Sequence, residues 1–158
     1  MKNPMLSLLA TFCFLSGCTA TARLYPVQGE LSTHSPNIVY VAKFHDGLKS
    51  GDLLVQTNKG ETYKGKWVLV RRPKKPSESV AAVPPDNLSK EWDTVYGPDF
   101  YVSHVLGSRL YGHAVLTGSG GATLKVEIYR SDNTEENIIS AVKGVAKDDS
   151  ENIFKVAF

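Results

Sequence analysis

Beyond residue 37, apolar and polar residues alternate with a period of two through most of the chain, the pattern of half-buried strands. Residues 38–44 gather Ile38, Val39, Tyr40, Val41 and Phe44, and His45-Asp46-Gly47 follows as a turn. Residues 51–57 and 61–70 read as the arms of a hairpin around Asn58-Lys59-Gly60. In the second arm Tyr63, Gly65, Trp67 and Leu69 share one face and Lys64 and Lys66 the other, which makes Trp67 the leading core candidate. Residues 110–117 and 122–130 flank Gly118-Ser119-Gly120-Gly121 and form the clearest hairpin. There Leu124, Val126 and Ile128 alternate with Lys125 and Glu127, so one face is expected to be buried and the other wet. Residues 138–147 and 152–158 predict a last hairpin, with Phe154, Val156 and Phe158 on one face. Gly97-Pro98-Asp99 begins like a helix and predicts one near residues 98–106, or else a twisted strand. The expected fold is therefore mainly β, a small antiparallel sandwich or partly closed barrel of about six to eight strands with one short helix.

Three segments break the alternation. Residues 18–37 are rich in Thr, Ser, Pro and Gly and read as a tether, with the first strand expected after Pro36. Residues 71–87 contain Pro73, Pro76, Pro84 and Pro85 and read as a loop within a single domain spanning residues 38–158. The loop opens with Arg71, Arg72, Lys74 and Lys75, which either stay solvated or touch lipid headgroups or anionic envelope polymers by charge attraction that weakens with salt. Finally, residues 5–15 form an apolar run behind Lys2, too short for the roughly 20 residues a spanning helix needs. Such a start reads as a signal peptide, residues 1–17.

The end of that leader is Leu15-Ser16-Gly17-Cys18, which resembles the lipobox of bacterial lipoproteins. The resemblance implies that the Cys18 thiol takes a diacylglycerol, that the chain is cut before Cys18, and that the new amine is acylated. The residue types fit that chemistry. Leu15 offers an apolar anchor, Ser16 and Gly17 leave the backbone accessible, and a thiol is readily alkylated. Fatty chains such as palmitate contribute roughly 0.8 kcal/mol per buried methylene, and more than one chain gives stable anchoring. Thr19 rather than Asp after the Cys implies the outer membrane, by likeness to enterobacterial sorting. With the lipobox, the segments 92–98 and 143–158 resemble a group of small uncharacterised bacterial lipoproteins, a likeness that implies an envelope location and a single β-rich domain but transfers no catalytic residue.

Composition narrows the function classes. A hydrophobic share of 42% with 22% charged residues is that of a globular chain. The net charge of +2, part of it from the leader's Lys2, gives no electrostatic reason to expect nucleic acid as a partner. Cys13 leaves with the leader and Cys18 is consumed by lipid, so a mature domain has no thiol for catalysis, zinc or redox chemistry and no disulfide.

No catalytic set is apparent, and no cofactor or metal is called for. His34, His45, His104 and His113 are scattered without a metal-binding spacing. Gly118-Ser119-Gly120-Gly121 lacks the Lys and helix of a phosphate cradle and reads as a hairpin turn. The terminal Phe158 resembles the last strand of integral outer-membrane barrels, but the strands are short and mix Lys into both faces. Three functional expectations stand: a lipid-anchored binding or scaffolding module, a periplasm-facing hydrolase in which His45, His104 and His113 converge, and a carrier with a dry cavity for an apolar ligand.

Overall fold

A computed structural model describes residues 19–45, 50–71, 86–106, 108, 110–131 and 141–158. Eight strands follow one another: β1 (Ala20–Gln28), β2 (Tyr40–Phe44), β3 (Gly51–Gln56), β4 (Thr62–Arg71), β5 (Leu110–Thr117), β6 (Thr123–Arg130), β7 (Val142–Asp148) and β8 (Ile153–Ala157). Each pairs antiparallel with the next, and β8 pairs back to β1, so the sheet is a closed barrel. Two helices are inserted, α1 (Glu30–His34) after β1 and α2 (Ser89–Tyr96) before β5, and a π-helical turn spans Tyr101–Val105. The hairpins expected from alternation are all present, and of the two β architectures the chain takes the barrel.

The tether expected over residues 18–37 is corrected. Residues 20–28 are β1, paired through Leu24↔Tyr40 on one side and Leu24↔Val156 on the other. Its period of two is hidden among small and polar residues, yet Ala22, Leu24 and Pro26 point inward while Thr21, Arg23, Tyr25 and Val27 point out. Pro26 is tolerated because β2 stops pairing at Leu24 and the β8 register shifts just beyond it. The helical segment expected near residues 98–106 is present as the π-helical turn, whereas α2 was not expected; Gly97 ends it, donating its N–H to Asp93 O at 3.0 Å.

The barrel interior is filled with side chains. Tyr40 and Phe154 pack with ring centroids 5.2 Å apart, and Phe44 meets the edge of Trp67 at the same distance. Leu24, Leu53, Val55, Leu116, Leu124, Val126 and Val156 complete the filling. Eight strands enclose a space just wide enough for such residues. Trp67, 1% exposed, fits only because Gly112 faces it, since a Cβ there would lie 2.2 Å from the indole ring. One mouth is capped by α1, whose Leu31 packs on the core and donates its N–H to Asn152 Oδ1 at 2.9 Å. At the other mouth Phe158 packs on Phe44 at 5.4 Å.

Gly112→Ala is expected to destabilise the protein by about 1–3 kcal/mol through overpacking. In a Trp67→Leu background the same change should cost clearly less, and a double-mutant cycle in urea measures the difference. Equal costs in both backgrounds would mean that the two residues do not share this space.

Candidate functional site

The most deeply buried acid among the described residues lies on the outer wall. Glu127 projects outward from β6 opposite His113 of β5 and Val145 of β7. The face was expected to be wet, but α2 and the π-helical turn lie over it, and Glu127 is only 3% exposed. Helix α2 presents Trp92 and Tyr96, four residues apart and stacked at 5.6 Å, and Phe100 continues the stack. Trp92 meets the edge of Tyr129 at 5.6 Å. Glu127 ties these layers together, accepting the Leu88 N–H on Oε1 and the Trp92 indole N–H on Oε2, both at 2.8 Å. Burial pushes its carboxyl above the ordinary value, against the opposing pull of these donors, the Tyr111 hydroxyl and His113. Its contacts make it a staple, with both oxygens already engaged. Tyr96 is equally held, its hydroxyl donating to Gly144 O at 3.2 Å and pushed by burial up to about 12.

Below α2, an open cleft of about 340 Å³ is lined by charged groups that satisfy one another. Lys147 bridges Glu91 at 3.2 Å and Glu151 at 2.7 Å, and Lys125 pairs with Asp86 at 2.7 Å. Asp149 accepts the Thr123 N–H at 2.6 Å and its hydroxyl as well. Hydrogen bonds from Lys125 and Thr123 hold Asp86 and Asp149 below the usual carboxylate range. Asp86 and Asp149 are thus shifted away from the raised proton affinity that general acid catalysis requires.

The histidines do not form a centre. His34 lies on α1, His45 just past the end of β2, His113 on the outer wall of β5, and His104 is exposed on the π-helical turn, its ring 4.5 Å from Phe100. Among the described residues no group of three or more His, Cys, Asp or Glu is placed to hold a metal. Gly120 and Gly121 take positive φ in the β5–β6 turn, as a hairpin requires. The outer wall carries Thr21, Arg23, Lys43, Lys64, Lys66 and Lys155 while the interior is apolar, the reverse of a barrel that shows an apolar belt to lipid.

Of the residues singled out by sequence, Leu15, Ser16, Gly17 and Cys18, with Arg72, Lys74 and Lys75, lie outside the described residues. Arg71 is the last residue of β4. Compared with family models, curated proteins and solved structures, the chain finds no match. Glu127 was missed because alternation cannot tell a solvated face from one that a later segment covers. The aromatic cluster at residues 92–101 was the available signal.

A carboxyl whose affinity for protons rises on folding binds more protons folded than unfolded, so its contribution falls as pH rises through the folded value. Stability should therefore decline above the ordinary Glu range in the native chain, and Glu127→Gln should flatten that decline. The same variant should cost about 1–3 kcal/mol at low pH by setting an amide donor against the Leu88 or Trp92 N–H. Thermal melts from pH 4 to 8 read both effects, and an unchanged pH slope would rule out Glu127 as its source.

Proposed function

We propose that the protein is a bacterial lipoprotein of the cell envelope, held at the outer membrane by acyl chains on Cys18, whose barrel acts without catalysis as a binding or scaffolding module. The carrying observation is the sequence Leu15-Ser16-Gly17-Cys18 behind an apolar leader. The structure supports the non-catalytic part of this reading through the separation of the histidines and the internal neutralisation of the cleft. Partners in this reading are the membrane itself, other envelope proteins, and anionic polymers that meet the basic run begun by Arg71.

One observation favours a carrier as the second reading. The Trp67 indole N–H is buried inside the barrel with no hydrogen-bond partner among the described residues, and a ligand acceptor would satisfy it. Against it stands the aromatic filling around Trp67. A small apolar ligand that changes Trp67 fluorescence saturably, and not that of a Trp67→Phe variant, would decide for the carrier.

Cys18→Ser is expected to leave an uncleaved precursor that incorporates no labelled fatty acid. Mass spectrometry of the amino terminus and metabolic labelling measure this. Normal labelling of the variant would overturn the lipoprotein reading.

A further inference from the structure

We infer that the barrel mouth at which β1 begins lies against an anionic membrane surface, through a basic rim and an exposed apolar shoulder. The inference rests on Cys18 being the acylated residue. Because β1 starts at Ala20, only Thr19 separates the anchor from the first paired residue. Two residues of extended chain reach about 7 Å. The acyl chains therefore hold this mouth, and not the α1 mouth, within about a Debye length of the headgroups.

Among the described residues the two mouths differ in charge in the direction this placement needs. Register puts Lys43, Arg71, Arg130 and Lys143 at the end where β1 begins, and Asp52 on the same rim is already paired with Lys66. The opposite mouth carries Glu30, Glu61, Asp148, Asp149 and Glu151 against Lys59 and Lys147. An anionic surface attracts the first and repels the second.

An apolar feature lies on the same side. The π-helical turn is pinned at rim level, because the Ser108 N–H donates to Val105 O at 3.1 Å and its hydroxyl lies 2.9 Å from Leu110 O and 3.2 Å from Arg130 O, the two residues paired at the end of β5 and β6. On that turn Tyr101 and Val105 are buried, whereas Val102 and Leu106, four residues apart, are 64% and 40% exposed. Two exposed aliphatic side chains beside a basic rim match the interfacial region of a bilayer, which takes apolar groups and cations together.

The full-length protein, acylated in its host and reconstituted into phosphatidylcholine vesicles with and without phosphatidylglycerol, tests this. A mature chain whose Cys18 is blocked by lipid accepts a single environment-sensitive probe at Val102→Cys or at Lys59→Cys, both exposed positions. Headgroup-level quenchers are expected to quench the probe at position 102 several-fold more than the one at 59 in phosphatidylglycerol vesicles. High salt, or the combined Lys43→Glu, Arg130→Glu and Lys143→Glu changes, should shrink that difference, while melting curves check that these variants fold. Equal quenching at the two positions, with intact mass and flotation proving acylation, would overturn the orientation and leave the anchor standing. A bare Cys18 thiol would overturn both.

Discussion

Pairing of β1 with β8 is the constraint on which the rest of the structure depends. An open antiparallel sheet of this length would leave two unpaired edges, each a row of backbone donors and acceptors ready to recruit another chain. Joining Arg23 to Ala157 and Leu24 to Val156 removes both edges at once. It also turns the apolar face of every strand toward one axis, along which Phe44, Trp67 and Phe154 belong to a single core. Closure matters more in a chain whose processed form would have no cysteine to cross-link, because packing and backbone hydrogen bonds then carry the whole stability. β1 pairs with β2 close by in sequence, but its other edge has to wait for β8, so the barrel cannot complete until β8 exists.

A second layer depends on the first. Only a continuous wall gives α2 a surface on which to lay Trp92, and the wall meets it with Tyr129, Val145 and the carboxylate of Glu127. An uncompensated acid in that position would be costly, so the donors around it are a requirement of the packing. The Leu88 N–H is one of the first unpaired donors of α2, and Glu127 satisfies it where no side chain of the helix does. The acid thus replaces an N-terminal cap and fixes the helix on the wall with the same group. Asp93 extends the arrangement by accepting the Tyr101 N–H at 2.9 Å, which joins α2 to the π-helical turn.

How much of this could be read from the chain follows from the range of each signal. Trp67 was legible as core because its neighbours alternate over ten residues, and the partner it needs, Gly112, was legible only as a glycine. Strand β1 was not legible: Thr21, Arg23 and Pro26 dilute the apolar signal, and what makes it a strand is pairing with β8, whose residues lie at the far end of the sequence. Glu127 failed for the converse reason, since its local pattern is that of a wet face and a helix from elsewhere changes its surroundings. Local periodicity therefore recovered the hairpins; β1 and Glu127 were missed because their contacts join segments distant in sequence, whereas α2, which ends at Gly97, was missed within its own segment. Residues 15–18, which resemble a lipobox, and most of the basic run are in a different position, for they are chemical signals whose meaning does not pass through the fold.

The replacement of a tether by a strand changes what an anchor at Cys18 can do. A flexible linker of the length first expected would let a domain sample all orientations, so that any surface of the barrel could meet a partner equally. With pairing from Ala20 onward, an anchor at Cys18 would join a rigid body at one mouth, and attachment itself would select an orientation. The surfaces then have unequal standing. In the proposed orientation the mouth near Ala20 would be spent on the membrane, while the β5–β7 wall is covered by α2 and the interior is filled by its own side chains. Among the described residues, what would then stay free for contact is the wall formed by β1–β4, with Arg23, Lys64 and Lys66 along it, and the acidic mouth around α1, which would face away from the bilayer. A module that works by touching other molecules would have to use one of these two surfaces, which carry opposite charge and so select different partners.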